Sequence, residues 1–198
     1  MTRRAPRVRL AHLVPPRRTD SVRGVNWAAD HGFRVIDVNC LLSADGTPHA
    51  QHGAPYGLAA QGFLPKRDKR KVRDLTDAEL AHLRSPDGYR VPTMLLIFKA
   101  AKKRGVRVEV EAKDDRRFTR PSTWLDMAAD AQRVFGDDWA KHVEMKVLTN
   151  LSGGLAYALK VCAAAHAAGW PTMILPRGAA RLRRLNAPYI TLNRGGRC

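Results

Sequence analysis

Apolar positions along this chain recur in short β-branched runs, each preceded by a helical stretch that ends in glycine. Ala29-Asp30-His31-Gly32 leads into Phe33-Arg34-Val35-Ile36, and Ala101-Lys102-Lys103-Arg104-Gly105 leads into Val106-Arg107-Val108. Ala167-Ala168-Gly169 likewise precedes Trp170-Pro171-Thr172-Met173-Ile174. Glycine accepts a left-handed backbone at little steric cost, so Gly32, Gly105 and Gly169 read as helix C-caps. Helices that feed strands in this way imply βα units and a mainly parallel sheet.

On this pattern, strands are predicted at residues 8–12, 34–40, 106–113, 143–148, 172–175 and 189–192. A helix at 21–31 follows Asp20 as its expected N-cap. Residues 41–72 lack a durable period and read as loop, with a short extended piece near His49. Thr76-Asp77-Ala78-Glu79 has the spacing of a capping box and opens a short helix to about residue 84. Thr93 caps a helix running to Gly105, Pro121 and Ser122 open another, and residues 152–168 form an alanine-rich one. A complete eightfold barrel takes roughly 250 residues. The expected fold is therefore a single α/β domain, a shortened or incomplete (β/α) TIM-like barrel over residues 8–198. Residues 1–7 read as a basic extension and residues 53–75 as a basic loop.

Composition narrows the function classes. No apolar run reaches 18 residues, and the arginine-rich start is not followed by an apolar stretch, so no transmembrane segment or secretory signal is expected. The default expectation is a soluble cytoplasmic protein, with virion association as an alternative suggested by the small size. Cys40, Cys162 and Cys198 are odd in number and form no CxxC pair, which argues against a disulfide framework or a cysteine zinc site. The net charge of +17 is concentrated in residues 3–9, 66–73 and 177–184. Such charge attracts phosphorylated small molecules, acidic membrane surfaces and nucleic acid alike, or simply covers a solvated surface. With no zinc finger, P-loop or RNA-binding aromatic motif, only weak, nonspecific nucleic-acid binding is expected. Oligomeric state is left open.

Strand alternation assembles the candidate chemistry. Side chains two apart on a strand share a face, so Asp37 and Asn39 project together, opposite Ile36 and Val38. The same arithmetic joins Glu109, Glu111 and Lys113, opposite Val108, Val110 and Ala112. Charges facing a barrel interior need partners. At the strand C-terminal ends they could pair and hold a divalent cation, with Lys113 reaching a phosphoryl oxygen. His12 and His52 supply the two groups that acid/base cleavage of a phosphodiester needs, with His49 close enough in sequence to stand in for His52. Alternatively, these charges line an exposed edge and the histidines are ordinary.

The ordered stretch Ile36-Asp37-Val38-Asn39, Asp45-Gly46, His52-Gly53 resembles the glycerophosphodiester phosphodiesterases, whose second strand reads roughly I-E-L-D-V, then D-G and H-D. Asp74-Leu75-Thr76-Asp77-Ala78-Glu79-Leu80 is similar to that family's D-L-T-x-x-E-L, Val91-Pro92-Thr93-Met94 to its I-P-T-L, and Glu111-Ala112-Lys113 to its E-I-K. The resemblance covers residues 8–113. It implies a (β/α) barrel, cleavage of an anionic phosphodiester to glycerol 3-phosphate and an alcohol, and Ca²⁺ or Mg²⁺ as cofactor. It further implies His12 and His52 as catalytic residues, Asp37, Asn39 and Glu111 as metal ligands, and Lys113 as the phosphate-facing lysine.

The family's H-R-G opening is His12-Leu13-Val14 here, and its P-E-N-T element is Arg18-Thr19-Asp20-Ser21. The phosphate-binding arginine is thus missing, with Arg17, Arg18 or a residue of the basic run at 66–73 as candidate replacements. Asp37 is one methylene short, and Asn39 offers a neutral carbonyl that calcium accepts more readily than magnesium. Two further readings stand beside hydrolysis or intramolecular transfer of a glycerophosphodiester: an impaired barrel used as a binding or structural module, and a nucleic-acid-binding basic protein.

Overall fold

In the computed structural model, the described residues are 7–9, 20–52, 57–149, 154–175 and 191–192. Seven strands lie among them in one sheet: β1 (Arg7–Arg9), β2 (Val35–Leu42), β3 (Pro48–Ala50), β4 (Arg107–Ala112), β5 (Val143–Leu148), β6 (Thr172–Leu175) and β7 (Thr191–Leu192). Their order is β1-β2-β4-β5-β6-β7, every neighbouring pair parallel, with β3 antiparallel to the end of β2. Helices α1 (Val22–Asp30), α3 (Met94–Arg104), α4 (Pro121–Phe135) and α5 (Gly154–Ala167) alternate with the parallel strands, and each packs on the next. A short α2 (Asp77–His82) belongs to the connection between β3 and α3. This is the reduced (β/α) barrel that the βα repeats predict.

Local signals account for the element ends. Ser21 Oγ accepts from the Gly24 amide at 3.0 Å, and Thr93 Oγ1 from the Leu96 amide at 3.4 Å. Thr76 and Glu79 complete the expected capping box on α2, through bonds of 3.2 and 2.7 Å. Gly32, Gly105 and Gly169 have φ of 81°, 62° and 79°, the left-handed region that a Cβ disfavours.

The main core lies between the sheet and its helices. From the strands it takes Ile36, Val38, Cys40, Val108, Val110, Ala112, Val143, Met145, Val147 and Ile174. Opposite them, Trp124 and Trp170 pack edge to face with ring centroids 5.4 Å apart. Their indole nitrogens donate to the Phe118 and Trp124 carbonyls at 2.8 and 3.0 Å, so neither buried N–H is left unmet.

Several expectations shift. Asp20 does not cap α1; Ser21 does, and Asp20 is buried with φ of 47°. Leu41 and Leu42 continue β2 rather than opening a loop, because the antiparallel β3 pairs with them. The first strand is described at Arg7–Arg9, and residues 10–12 of the expected strand lie outside the described residues. The basic run at 66–73 edges a folded connection with its own apolar cluster of Leu58, Leu64, Val72, Leu75, Leu80 and Val91; Val72 points inward while the flanking Lys71 and Arg73 are exposed. No helix of the described residues is long and apolar enough to cross a membrane.

Candidate functional site: a charged cluster on the inner sheet face

The period of two that sends apolar side chains toward the helices sends charged ones to the opposite face. Parallel register then aligns them across strands: Asp37 beside Glu109, and Asn39 beside Glu111 beside Lys146. Asp37, Asn39, Glu109, Glu111 and Lys146 are all buried, and Lys146 is 0% exposed.

Burying an ion requires a partner, and here the partner is shared. Lys146 Nζ donates to Asp37 Oδ2 and to Glu111 Oε2, the latter at 2.6 Å. Glu111 Oε1 accepts from Lys113 Nζ. The cluster thus runs Asp37, Lys146, Glu111, Lys113 in alternating sign. Burial pushes the Glu111 carboxyl up, but the two ammonium groups outweigh it and bring it down to about 2. Lys113, with 14% of its side chain exposed, is the end of the chain that opens outward.

The loop ends around the cluster are tied down. The Tyr157 hydroxyl of α5 lies 2.8 Å from the Lys113 carbonyl and 2.9 Å from that of Asp115. Arg117 donates to the Ser43 and Leu42 carbonyls at 2.6 and 3.2 Å and pairs with Asp115 at 2.7 Å, so the ends of β2 and β4 are held together. The Gln51 amide donates to the Asn39 carbonyl at 2.9 Å, and the His52 amide to Gln51 Oε1 at 2.9 Å. These bonds tie the chain just before His52, itself half-buried, to Asn39 within β2.

Asn39 has a different partner from the one expected. Its backbone N–H and Nδ2 donate to Asp20 Oδ1 at 2.8 and 3.0 Å, and Nδ2 is 3.1 Å from Oδ2. Burial drives the Asp20 carboxyl up to about 7, against the pull of those hydrogen bonds. Where the family pattern has an amide in the turn and a carboxylate on the strand, this chain has Asp20 and Asn39: the two groups are exchanged.

Of the residues singled out from sequence, Asp37, Asn39 and Glu111 share one face at neighbouring register positions, and Lys113, just past β4, pairs with Glu111. His12, Arg17 and Arg18 lie outside the described residues. His49 is buried elsewhere: its Nε2 is 3.2 Å from Asp77 Oδ1 at the start of α2, and burial lowers its pKa despite that carboxylate. It secures β3 to α2. Lys146 was missed, although Val143-Glu144-Met145-Lys146-Val147 alternates as plainly as the strands that were read for chemistry. No local signal marks Asp20 as the partner of Asn39, 19 residues away.

A calcium or magnesium ion takes several oxygens at roughly 2.0–2.6 Å. Asp37 and Glu111 do turn oxygens to one point, but the Lys146 ammonium holds that point. Among the described residues, no group of three or more His, Cys, Asp or Glu side chains is arranged to hold a metal ion. Two unit charges about 4 Å apart repel by about 4 kcal/mol at an effective dielectric near 20, and a divalent ion doubles that. With Lys146 in place, these residues do not fit a divalent cation.

No protein-family model and no curated protein sequence matches the chain. Solved structures do. A glycerophosphodiester phosphodiesterase from Parabacteroides distasonis superposes with a TM-score of 0.61 at 16% identity, over 87% of this chain and 66% of that one. This chain thus spans just under two thirds of that relative's length. An Oleispira antarctica phosphodiesterase in complex with the product sn-glycerol-3-phosphate gives 0.61 at 14% identity, over 96% of this chain and 74% of that one. A glycerophosphodiester phosphodiesterase from Agrobacterium tumefaciens gives 0.51 at 15% identity, covering 96% of both chains. Identities this low carry the fold, and in fold this chain is a divergent, shortened barrel of the glycerophosphodiester phosphodiesterase type.

Proposed function

We propose that the inner face of this barrel binds and cleaves an anionic phosphodiester of the glycerophosphodiester class. The observation that carries the reading is the ion-pair chain Asp37, Lys146, Glu111, Lys113, which runs from within β2 and β5 to Glu111 and Lys113 at the C-terminal end of β4, the end where barrels of this type place their sites. Lys113, partly open to solvent and fixed by Glu111, receives a phosphoryl oxygen. His52, next to the Gln51 that bonds Asn39, exchanges a proton with the attacking or leaving oxygen, and His12 is its partner in that exchange. Arg17, Arg18 and the basic surface draw the anion in. Attack by water breaks the P–O bond to the alcohol and yields glycerol 3-phosphate and that alcohol; attack by a substrate hydroxyl breaks the same bond and yields a cyclic phosphate and the same alcohol.

The assay is release of glycerol 3-phosphate or cyclic phosphate from a panel of glycerophosphodiesters. Turnover that falls ~10²-fold in His52→Ala, with the fold intact, is the expected result. A second reading, a noncatalytic module that keeps only anion binding, is favoured by the capture of both carboxylates by Lys146. It takes over if the folded protein is inert toward the whole panel yet binds glycerol 3-phosphate in a manner that Lys113→Ala abolishes.

A further inference from the structure

Lys146 is the largest departure on the inner face from anything a metal site needs. Its side chain is 0% exposed, so it touches no incoming anion. Its Nζ reaches both carboxylates that the strand pattern offers as cation ligands, one from β2 and one from β4. Two anions gathered on one buried point need a positive charge there, and a divalent metal or an ammonium supplies it. Within the alternating chain, Asp37 and Glu111 contribute two negative charges and Lys146 and Lys113 two positive, with the buried Glu109 beside Asp37 on the same face. The third expected ligand, Asn39, is anchored from its nitrogen side, its backbone N–H and amide nitrogen both donating to Asp20.

We infer that the Lys146 ammonium permanently takes the place of a divalent cation, so that this site works on its phosphodiester without metal, and that removing Lys146 creates a divalent-cation site between Asp37 and Glu111. Lys146 is a positioning residue. It holds Glu111 toward Lys113, and Lys113 alone of the four meets the anion. The inference rests on reading this face as the phosphodiester site, but its test does not depend on turnover.

After EDTA treatment, the full chain and Lys146→Met are titrated calorimetrically with CaCl₂ and with MgCl₂, and their melting temperatures are followed in EDTA and in each salt. The natural chain is expected to bind no ion saturably below ~1 mM, the weak end of protein calcium sites. Lys146→Met is expected to melt lower in EDTA and to bind one ion per chain at ~0.1 mM or tighter. Its melting temperature should recover by several degrees in metal, and Asp37→Asn added to Lys146→Met should abolish both effects. If Lys146→Met does not stay folded in EDTA, its refolding yield with and without each metal is the readout, and rescue supports the inference. Stoichiometric ion binding by the natural chain that Asp37→Asn removes would overturn it. So would a Lys146→Met chain, folded or not, to which both metals are indifferent. Inertness toward phosphodiesters defeats the proposed activity and leaves these results standing.

Discussion

The two faces of the sheet are buried alike and built on opposite terms. Toward the helices, Ile36, Val38, Val108, Val110, Met145 and Val147 are held by contact alone, and any apolar group of similar volume can serve. Toward the interior, Asp37, Glu111 and Lys146 are sealed just as thoroughly, yet each is tolerable only because the others are present. Burial on the outer face adds up residue by residue. On the inner face it is a property of the set, and this makes the inner face vulnerable to single changes.

The comparison breaks most visibly at Glu111. Glu111→Ala leaves the buried Lys146 short of a partner and Lys113 without its anchor, and a loss of about 3–5 kcal/mol in urea unfolding is expected. Replacing the set as a whole should cost less: Glu111→Leu with Lys146→Met and Asp37→Leu should recover much of that loss, which a mutant cycle measures directly. Losses that simply add would show that the charges do not act as a unit.

Asn39→Asp restores the family's carboxylate but sets it against the buried Asp20. A destabilisation of about 1–3 kcal/mol is expected from the broken hydrogen bonds, largest above neutral pH, where both groups would ionise.

Acidity sharpens the contrast within the inner face itself. Asp20 is raised from 3.8 to about 7, so its contribution is full below about pH 4 and is lost as the pH climbs toward 7. Glu111 is lowered from 4.5 to about 2, so its contribution is present above about pH 4.5 and is lost as the pH falls toward 2. Urea midpoints should therefore decline on both sides of mildly acid pH, and Asp20→Asn should flatten the alkaline limb alone. On the outer face, Ile36→Val should lower stability by only about 0.5–1.5 kcal/mol, with no pH dependence. A pH-dependent loss there would contradict the division of labour between the faces.

The sequence by itself determined the elements and the sharing of faces. The capping residues Thr76 and Thr93, the left-handed Gly32, Gly105 and Gly169, and the alternation at 36–39 and 108–113 all act over a few residues, so they could be read directly. That reach was enough to put Asp37 with Asn39, and Glu111 with Lys113, and to point to the fold. Pairing across strands was decided only in the tertiary structure. Asp37 meets Lys146 across 109 residues, and Asn39 meets Asp20 across 19. Parallel register is fixed by how helices pack on the far side of the sheet, and no strand carries that information in its own alternation. Two carboxylates on adjacent strands therefore looked in sequence like ligands awaiting an ion, while the folded chain supplies the counter-charge from a strand further on.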